Sequence, residues 1–319
     1  DHVGAQVIIS LMDAWVCDAA RLQSLGARWI PWFPIDMEPL PPPVKRQVEQ
    51  AYKRIVFSHF GEKQMHDAGL DCYYVPHGVE TGVFRPIDRV QARRTLGLPE
   101  DAFIVGMVAA NKGNPPRKAF FQQIEAFAEF HRRHPDSLLY LHTQAGNQGG
   151  AHEVNLVEFC EYHGLKGGDD VRFAQAMVEI YNAMDVHMLV SMGEGFGIPT
   201  LEAQACGTPV ITGDWTASAE LCFSGWKVEK SEAEPVWTPL GSYQWTPHTG
   251  AIVDRLEAAC RMKDNPDYRK RARDGALKYD ADKVAEKYWK PVLADIEQSL
   301  AASPVAAPAG PGAVAVAEG

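Results

Sequence analysis

Cysteine is sparse and scattered: Cys17, Cys72, Cys160, Cys206, Cys222 and Cys260 form no CxxC pair. That spacing argues against a zinc knuckle or a small disulfide scaffold and favours a reducing compartment. No apolar run approaches the roughly 18 residues of a membrane span. The opening residues lack the cationic start and apolar core of a signal peptide. The expected location is therefore cytoplasmic. Cations are in deficit, with 31 Lys plus Arg against 41 Asp plus Glu and a net charge of -10. A broad duplex-DNA surface needs clustered excess cation, so no nucleic-acid partner is expected. The remaining composition, 46% hydrophobic and 23% charged over 319 residues, is that of a globular protein with a sizeable core. Its length fits two domains.

What is present is a succession of short apolar runs. Val7 to Met12 reads as a buried strand. The Trp- and Pro-rich stretch 29–43 is expected to be loop or extended chain, because proline lacks an amide donor and biases its predecessor away from helix. Val44, Val48, Ala51 and Ile55 recur at helical spacing. Segments 54–58 and 71–75 are strand candidates, and 60–68 a short helix stopped by Gly69. From Phe103 the alternation becomes regular, with strands expected at 103–110, 137–143, 171–173, 186–191 and 208–212. The clearest helix between them is 119–134. Such alternation implies parallel βα units and a doubly wound α/β domain, whose ligands bind beyond the carboxyl ends of the strands. After Trp226 an aromatic loop (Trp237, Tyr243, Trp245) precedes helices near 251–262, 267–279 and 282–300. Residues 301–319, rich in Ala, Pro and Gly, read as a flexible tail.

Chemistry concentrates in residues 186–212. A buried strand runs into Gly193-Glu-Gly-Phe-Gly197, then a helix with Pro199 near its start and Gly207 past its end, then another strand. A helix start offers unpaired amides and the positive end of its dipole, which suits a diphosphate. Glu202 lies about one turn into that helix, within reach of an attached ribose. Glu194 lies in the loop, on the far side of the phosphates. Gly-x-Gly-x-Gly alone would read as a tight strand–helix turn; the full strand–loop–helix–strand context favours the nucleotide seat.

The segment Glu194-Gly-Phe-Gly-Ile-Pro-Thr-Leu-Glu-Ala203 resembles the signature of retaining glycosyltransferases of family 4 (glycosyl transferases group 1), which have the GT-B fold. The resemblance extends to Val75-Pro-His-Gly-Val-Glu-Thr-Gly-Val-Phe84, like the hinge segment, to Val105-Gly-Met-Val108 ahead of Lys118, to Tyr181-Asn-Ala-Met-Asp185 and to Glu220-Leu221. It covers residues 7–300, most specifically 186–221. It implies an α/β chain of two Rossmann-like doubly wound domains, the N-terminal one incomplete. On that basis 1–88 is a partial acceptor-side domain and 89–280 the nucleotide-sugar domain. Residues 281–300 are a helix crossing back, and 301–319 the tail.

The resemblance also implies residue roles. Glu194 would contact donor-sugar hydroxyls near the anomeric centre. Amides around Phe196, Gly197 and Thr200 would hold the distal phosphate, with Gly195, Ile198 and Pro199 completing the donor loop, and Glu202 would take the ribose. Lys118 matches a lysine on the diphosphate. The family's neighbouring arginine lies a few residues earlier, and here Arg117 replaces it, with Asn111 and Lys112 as alternatives. Two cations on the diphosphate would offset charge developing on the leaving group. Base preference would rest with loops 143–147 and 172–174.

Ahead of the hinge-like segment there are fewer residues than a domain of about 100–150 residues needs, so Asp1 reads as a mid-domain start. No glycine-rich acceptor loop and no strand-end histidine are present. Asp13, Asp36 and His77 are the acceptor-side candidates, with loop-turn or packing roles as their alternatives. Asp280 and Asp282 read as a helix cap, in keeping with the metal-independent, cofactor-free chemistry the resemblance implies. The basic stripe Lys45, Arg46, Lys53 and Arg54 reads as a solvated face, or as a peripheral contact with anionic lipid. The expected activity is transfer of a hexose from a UDP-, GDP- or ADP-sugar to a hydroxyl acceptor, carbohydrate, lipid-linked or other. Anomeric configuration would be retained through front-face substitution guided by the leaving diphosphate. The rivals are a nucleotide-sugar-binding module without turnover and an NAD-type dehydrogenase.

Overall fold

The computed structural model describes residues 5–24, 26–113, 115–146, 153–173 and 178–302. The tail from 303, and positions 147 and 174 of the two expected base loops, lie outside the described residues.

Two parallel sheets organise the chain. The first has the order β1-β2-β3-β4 and comprises β1 (Val7–Leu11), β2 (Arg28–Phe33), β3 (Ile55–Val56) and β4 (Tyr73–Tyr74). Helices Ala19–Ser24, Pro42–Val48 and His59–Asp67 join them, as parallel pairing requires. The proline-rich stretch is extended only in part. Pro31 sits inside β2, but Pro42 and Pro43 open a helix, where a missing amide costs nothing because first-turn amides have no partner within the helix. That helix ends at Val48, and Ile55 belongs to β3 instead of continuing the helical spacing.

The second sheet has six parallel strands in the order β10-β9-β8-β5-β6-β7. They are β5 (Phe103–Val108), β6 (Ser137–His142), β7 (Val171–Phe173), β8 (Val186–Leu189), β9 (Val210–Gly213) and β10 (Gly225–Val228). Alternate residues of β5 feed two cores, since strand side chains alternate in direction. Phe103, Val105 and Met107 join the core that contains Phe120, Ile124 and Phe127, whereas Ile104 and Val108 join Tyr140, Tyr181 and Met184 on the other face. Gly106 lets the Met184 side chain lie against the strand, because a Cβ there would meet it at 2.1 Å. Both faces are thus covered and every strand residue of β5 is buried, which explains its unbroken apolar run.

The expected aromatic loop is instead an antiparallel hairpin, β11 (Ala233–Trp237) with β12 (Tyr243–Pro247). Its aromatic residues alternate with polar ones as strand neighbours do. The hairpin reaches the first unit, where Glu38 and Tyr243 exchange backbone hydrogen bonds of 3.1 and 2.7 Å. Near the end of the described chain, helix Lys290–Ala302 packs Val292 and Ile296 against Ile30 and Ile55 of the first sheet and Val75 just beyond it.

Candidate active site

Strand order reverses at β5, which pairs with β6 on one side and β8 on the other. Connections leave these neighbours in opposite directions, and the resulting crevice beyond their carboxyl ends is where ligands of such sheets bind. Two segments line it. After β5 the chain enters helix Phe120–Arg133 through Ala119, whose φ of 49° is left-handed. Gln123 ties the two strand exits together: its Nε2 donates to the Lys118 carbonyl at 2.6 Å and its Oε1 accepts the Val190 amide at 2.9 Å. After β8 the loop 191–197 turns into helix Ile198–Ala205, with Gly197 at φ 105° as its cap and Pro199 in its first turn. That backbone angle is open to glycine at little cost.

The Glu194 carboxylate is the hub. It is 5% exposed. Its Oε1 receives the Lys118 ammonium and the Ser191 hydroxyl (2.6 Å), and its Oε2 lies 3.5 Å from Arg117 Nη1. Burial pushes the Glu194 carboxyl up, but Lys118, Arg117 and the two hydrogen bonds outweigh it and hold the group at about 2. Burial draws the Lys118 ammonium down, with Glu194 opposing. Arg117 also meets Asp36, 3.4 Å from Nη1, and donates to the Gly193 carbonyl. Its charge acts on Asp13 too, although burial is the larger effect there and raises that carboxyl. One cation therefore links carboxylates from both units.

Among the described residues, none accepts a hydrogen bond from the amides of Gly195, Phe196 or Gly197. Three successive unpaired backbone donors are the chemistry that suits an anion. Thr200 is not one of them, because its amide already donates to the Gly197 carbonyl at 3.0 Å. In the same helix, Glu202 Oε2 accepts the Tyr181 hydroxyl at 2.7 Å, and burial raises its carboxyl.

Three expectations need correction. Gly193 and Gly195 are glycines for packing against the chain itself: a Cβ on Gly193 would meet the Asp36 carbonyl at 2.0 Å, and one on Gly195 would meet Pro34 at 2.2 Å. Asn111 is committed elsewhere, its amide donating to the carbonyls of Gln144 (3.1 Å) and Val154 (2.8 Å) and its oxygen accepting the Val154 amide. It anchors a loop, and its side chain has no N–H left for a nucleotide. His77 is packed among Trp32, Phe57 and Phe196 with ring centroids 4.5, 4.3 and 5.2 Å away, and burial lowers its pKa to about 4. It is an uncharged interface residue at neutral pH. Asp36, by contrast, is brought to Arg117, and Gln244 of β12 holds its Oδ2 at 3.2 Å.

Sequence patterning marks none of Ser191, Thr216, Gln123 and Gln244 as site residues, and Tyr181 carries no sign of its bond to Glu202. Ser191, three residues before Glu194 in the same strand-end loop, was the most readable of them. Glu220 has a different use: its carboxylate accepts the amides of His59 (3.0 Å) and Phe60, capping a helix of the first unit from the second. Asp280 caps the turn 281–284 by accepting the Asp282 amide at 3.2 Å.

Residues 88–224 match the family model described as "Glycosyl transferases group 1". This segment is similar to glycosyl transferases group 1 domains. Curated relatives include the D-inositol 3-phosphate glycosyltransferase of Acidothermus cellulolyticus, 39% identical over 144 residues, covering 43% of this chain and 32% of the relative. The namesake from Saccharomonospora viridis is 32% identical over 206 residues, covering 60% of this chain and 46% of the relative. The chain spans about a third of the length of the first curated relatives it matches. Sucrose-phosphate synthase from Thermosynechococcus elongatus superposes with a TM-score of 0.70 at 20% identity, covering 94% of this chain and 75% of that one. Anabaena HepE in complex with UDP-glucose gives 0.69 at 16% identity, covering 91% and 79%. At such identities the likeness shows the fold. The chain has a GT-B arrangement of two Rossmann-like units.

Proposed function

We propose that this chain carries the donor site of a retaining glycosyltransferase, moving a hexose from a nucleotide-diphosphate sugar to a hydroxyl acceptor. The observation that carries the reading is the joining of Lys118, Arg117 and Glu194 at the switch point, beside the free amides of Gly195 to Gly197. A diphosphate seated there meets two cations and three backbone donors, which stabilise charge as it develops on the leaving group. Glu202, whose Oε2 accepts the Tyr181 hydroxyl, takes the ribose hydroxyls in this proposal.

Glu194 Oε1 already accepts from Lys118 and Ser191, so Oε2 is the oxygen left for a donor-sugar hydroxyl. A carboxylate so tightly paired is a poor nucleophile, which supports front-face substitution directed by the diphosphate. Asp36 and Asp13, on the other wall beside Arg117, form the acceptor side. The relatives' names and the UDP-glucose bound to HepE make a UDP-sugar and a phosphorylated polyol the first donor and acceptor to try. No metal, no cofactor and a cytoplasmic site of action belong to the same proposal. Among the described residues no helix is long and apolar enough to cross a membrane.

The test is a thermal-shift and calorimetric panel of UDP, GDP and ADP, each with and without its glucose ester. One diphosphate is expected to bind wild type and to lose affinity in Glu202→Ala and Lys118→Ala. Unchanged affinity in both variants discards the site. Binding without sugar release across many acceptors favours a binding module, and absorbance changes with NADH favour a dehydrogenase.

A further inference from the structure

We infer that Thr216 is a positioning residue for the Glu194 carboxylate, and that its strained backbone is kept for that purpose. The inference rests on the transfer reading above and names how that site is held. Thr216 has φ 53°, a sparsely populated region for a β-branched residue. Among the described non-glycine residues only Ala119 and Thr216 have positive φ, and both adjoin one ion pair. Ala119 directly follows Lys118. The Thr216 hydroxyl accepts the Glu194 amide at 3.0 Å.

The neighbours of Thr216 complete the grip. The Ala217 amide donates to the Glu194 carbonyl at 3.3 Å, and the Trp215 indole donates to the Ser191 carbonyl at 3.0 Å. The Trp215 ring in turn lies on Gly213, where a Cβ would meet it at 2.4 Å. Residues 215–217 thus hold the backbone of 191–194, while Lys118 and Ser191 hold the carboxylate. Thr216 is 3% exposed, so water cannot readily replace its hydroxyl as acceptor for the Glu194 amide. Strain of this kind persists where the surroundings over-determine it, and it gathers at sites that need a fixed geometry. A simple turn at 216 would be served by glycine. A turn that must also offer a hydroxyl to residue 194 would not.

The experiment compares full-length wild type, Thr216→Ala, Thr216→Gly and Thr216→Ser, using UDP-glucose, GDP-glucose and ADP-glucose as probes. It follows diphosphate release and binding, with Tm measured alongside. Ala and Gly are expected to lower kcat by about 10- to 100-fold with KM nearly unchanged, since a small misplacement of a reacting group has that scale of effect. Ser is expected to restore most of kcat, and Gly to keep or raise Tm while kcat stays low. Unchanged kcat in Thr216→Ala, in a wild type that binds and turns over, overturns the positioning role alone. Parallel losses of Tm and kcat that Ser does not rescue reduce Thr216 to a structural residue. A wild type that neither binds nor cleaves any probe overturns the transfer reading and this inference with it.

Discussion

Replacing Lys118 by Met tests the hub of the site without adding bulk. Glu194 is held at about 2, against an ordinary 4.5, because Lys118 and Arg117 outweigh its burial. A depression of that size corresponds to about 3 kcal/mol of stability, at roughly 1.36 kcal/mol per pH unit. The sign follows from which state binds protons. Between pH 4.5 and 2 the unfolded chain protonates Glu194 while the folded chain does not. The contribution is therefore full above pH 4.5 and drains as pH falls towards 2. Breaking a buried pair costs about 3–5 kcal/mol by leaving a charge unpaired. Arg117, 3.5 Å from Oε2, remains in Lys118→Met and puts the expected cost near the lower end.

Urea unfolding at pH 7 and at pH 3 measures this directly. Lys118→Met should be less stable by about 3 kcal/mol at pH 7, with a much smaller deficit at pH 3, where Glu194 of the variant is protonated in both the folded and the unfolded chain. The double variant with Glu194→Gln should recover part of the pH 7 loss, giving a coupling energy well above additivity. Equal deficits at the two pH values, or strictly additive losses, would show that Glu194 does not depend on Lys118.

Tyr181→Phe should weaken nucleotide binding about tenfold, or ~1.4 kcal/mol, by releasing Glu202, while mixtures of base and free phosphate are unaffected; calorimetry checks this, and equal affinity refutes it. Gly195→Ala places a Cβ 2.2 Å from Pro34 and should cost about 1–3 kcal/mol in unfolding experiments, together with lower turnover; an unperturbed Tm would mean that the two units do not meet there. His77, lowered to about 4 by burial, takes up a proton on unfolding below its ordinary 6.5. Wild-type stability should therefore rise with pH between 4 and 6.5 by up to about 3 kcal/mol, and His77→Phe should flatten that slope.

The second sheet was legible because its strands are buried on both faces and read as unbroken apolar runs between turn residues. β5 is the clearest case. The hairpin at 233–247 was not, since Pro235 lies inside one strand and Pro247 ends the other, and proline demotes a strand reading. Glu194 could be named because glycine and helix-start signals bracket it, and Lys118 and Arg117 because the family resemblance carried them. Their partners could not, because Thr216 and Gln244 reach the site through contacts 22 and 208 residues distant in sequence, which no local spacing encodes.

Glycine shows most clearly where local reasoning stops. Positive φ at Gly197 is a local demand of the turn from loop into helix, which glycine meets by itself. Space for a neighbour at Gly193 and Gly195 depends on what arrives from elsewhere in the chain, and what arrives is Pro34 to Asp36. The same loop therefore serves two purposes. Its glycines admit the first unit, and with it Asp36, to within 3.4 Å of Arg117, while its amides at 195 to 197 stay free for an anion. Any side chain at 193 or 195 that moves the first unit away should also separate Asp36 from Arg117. Acceptor-side chemistry would then fail before donor binding does, so that KM for the acceptor rises in Gly195→Ala while the affinity for the nucleotide holds.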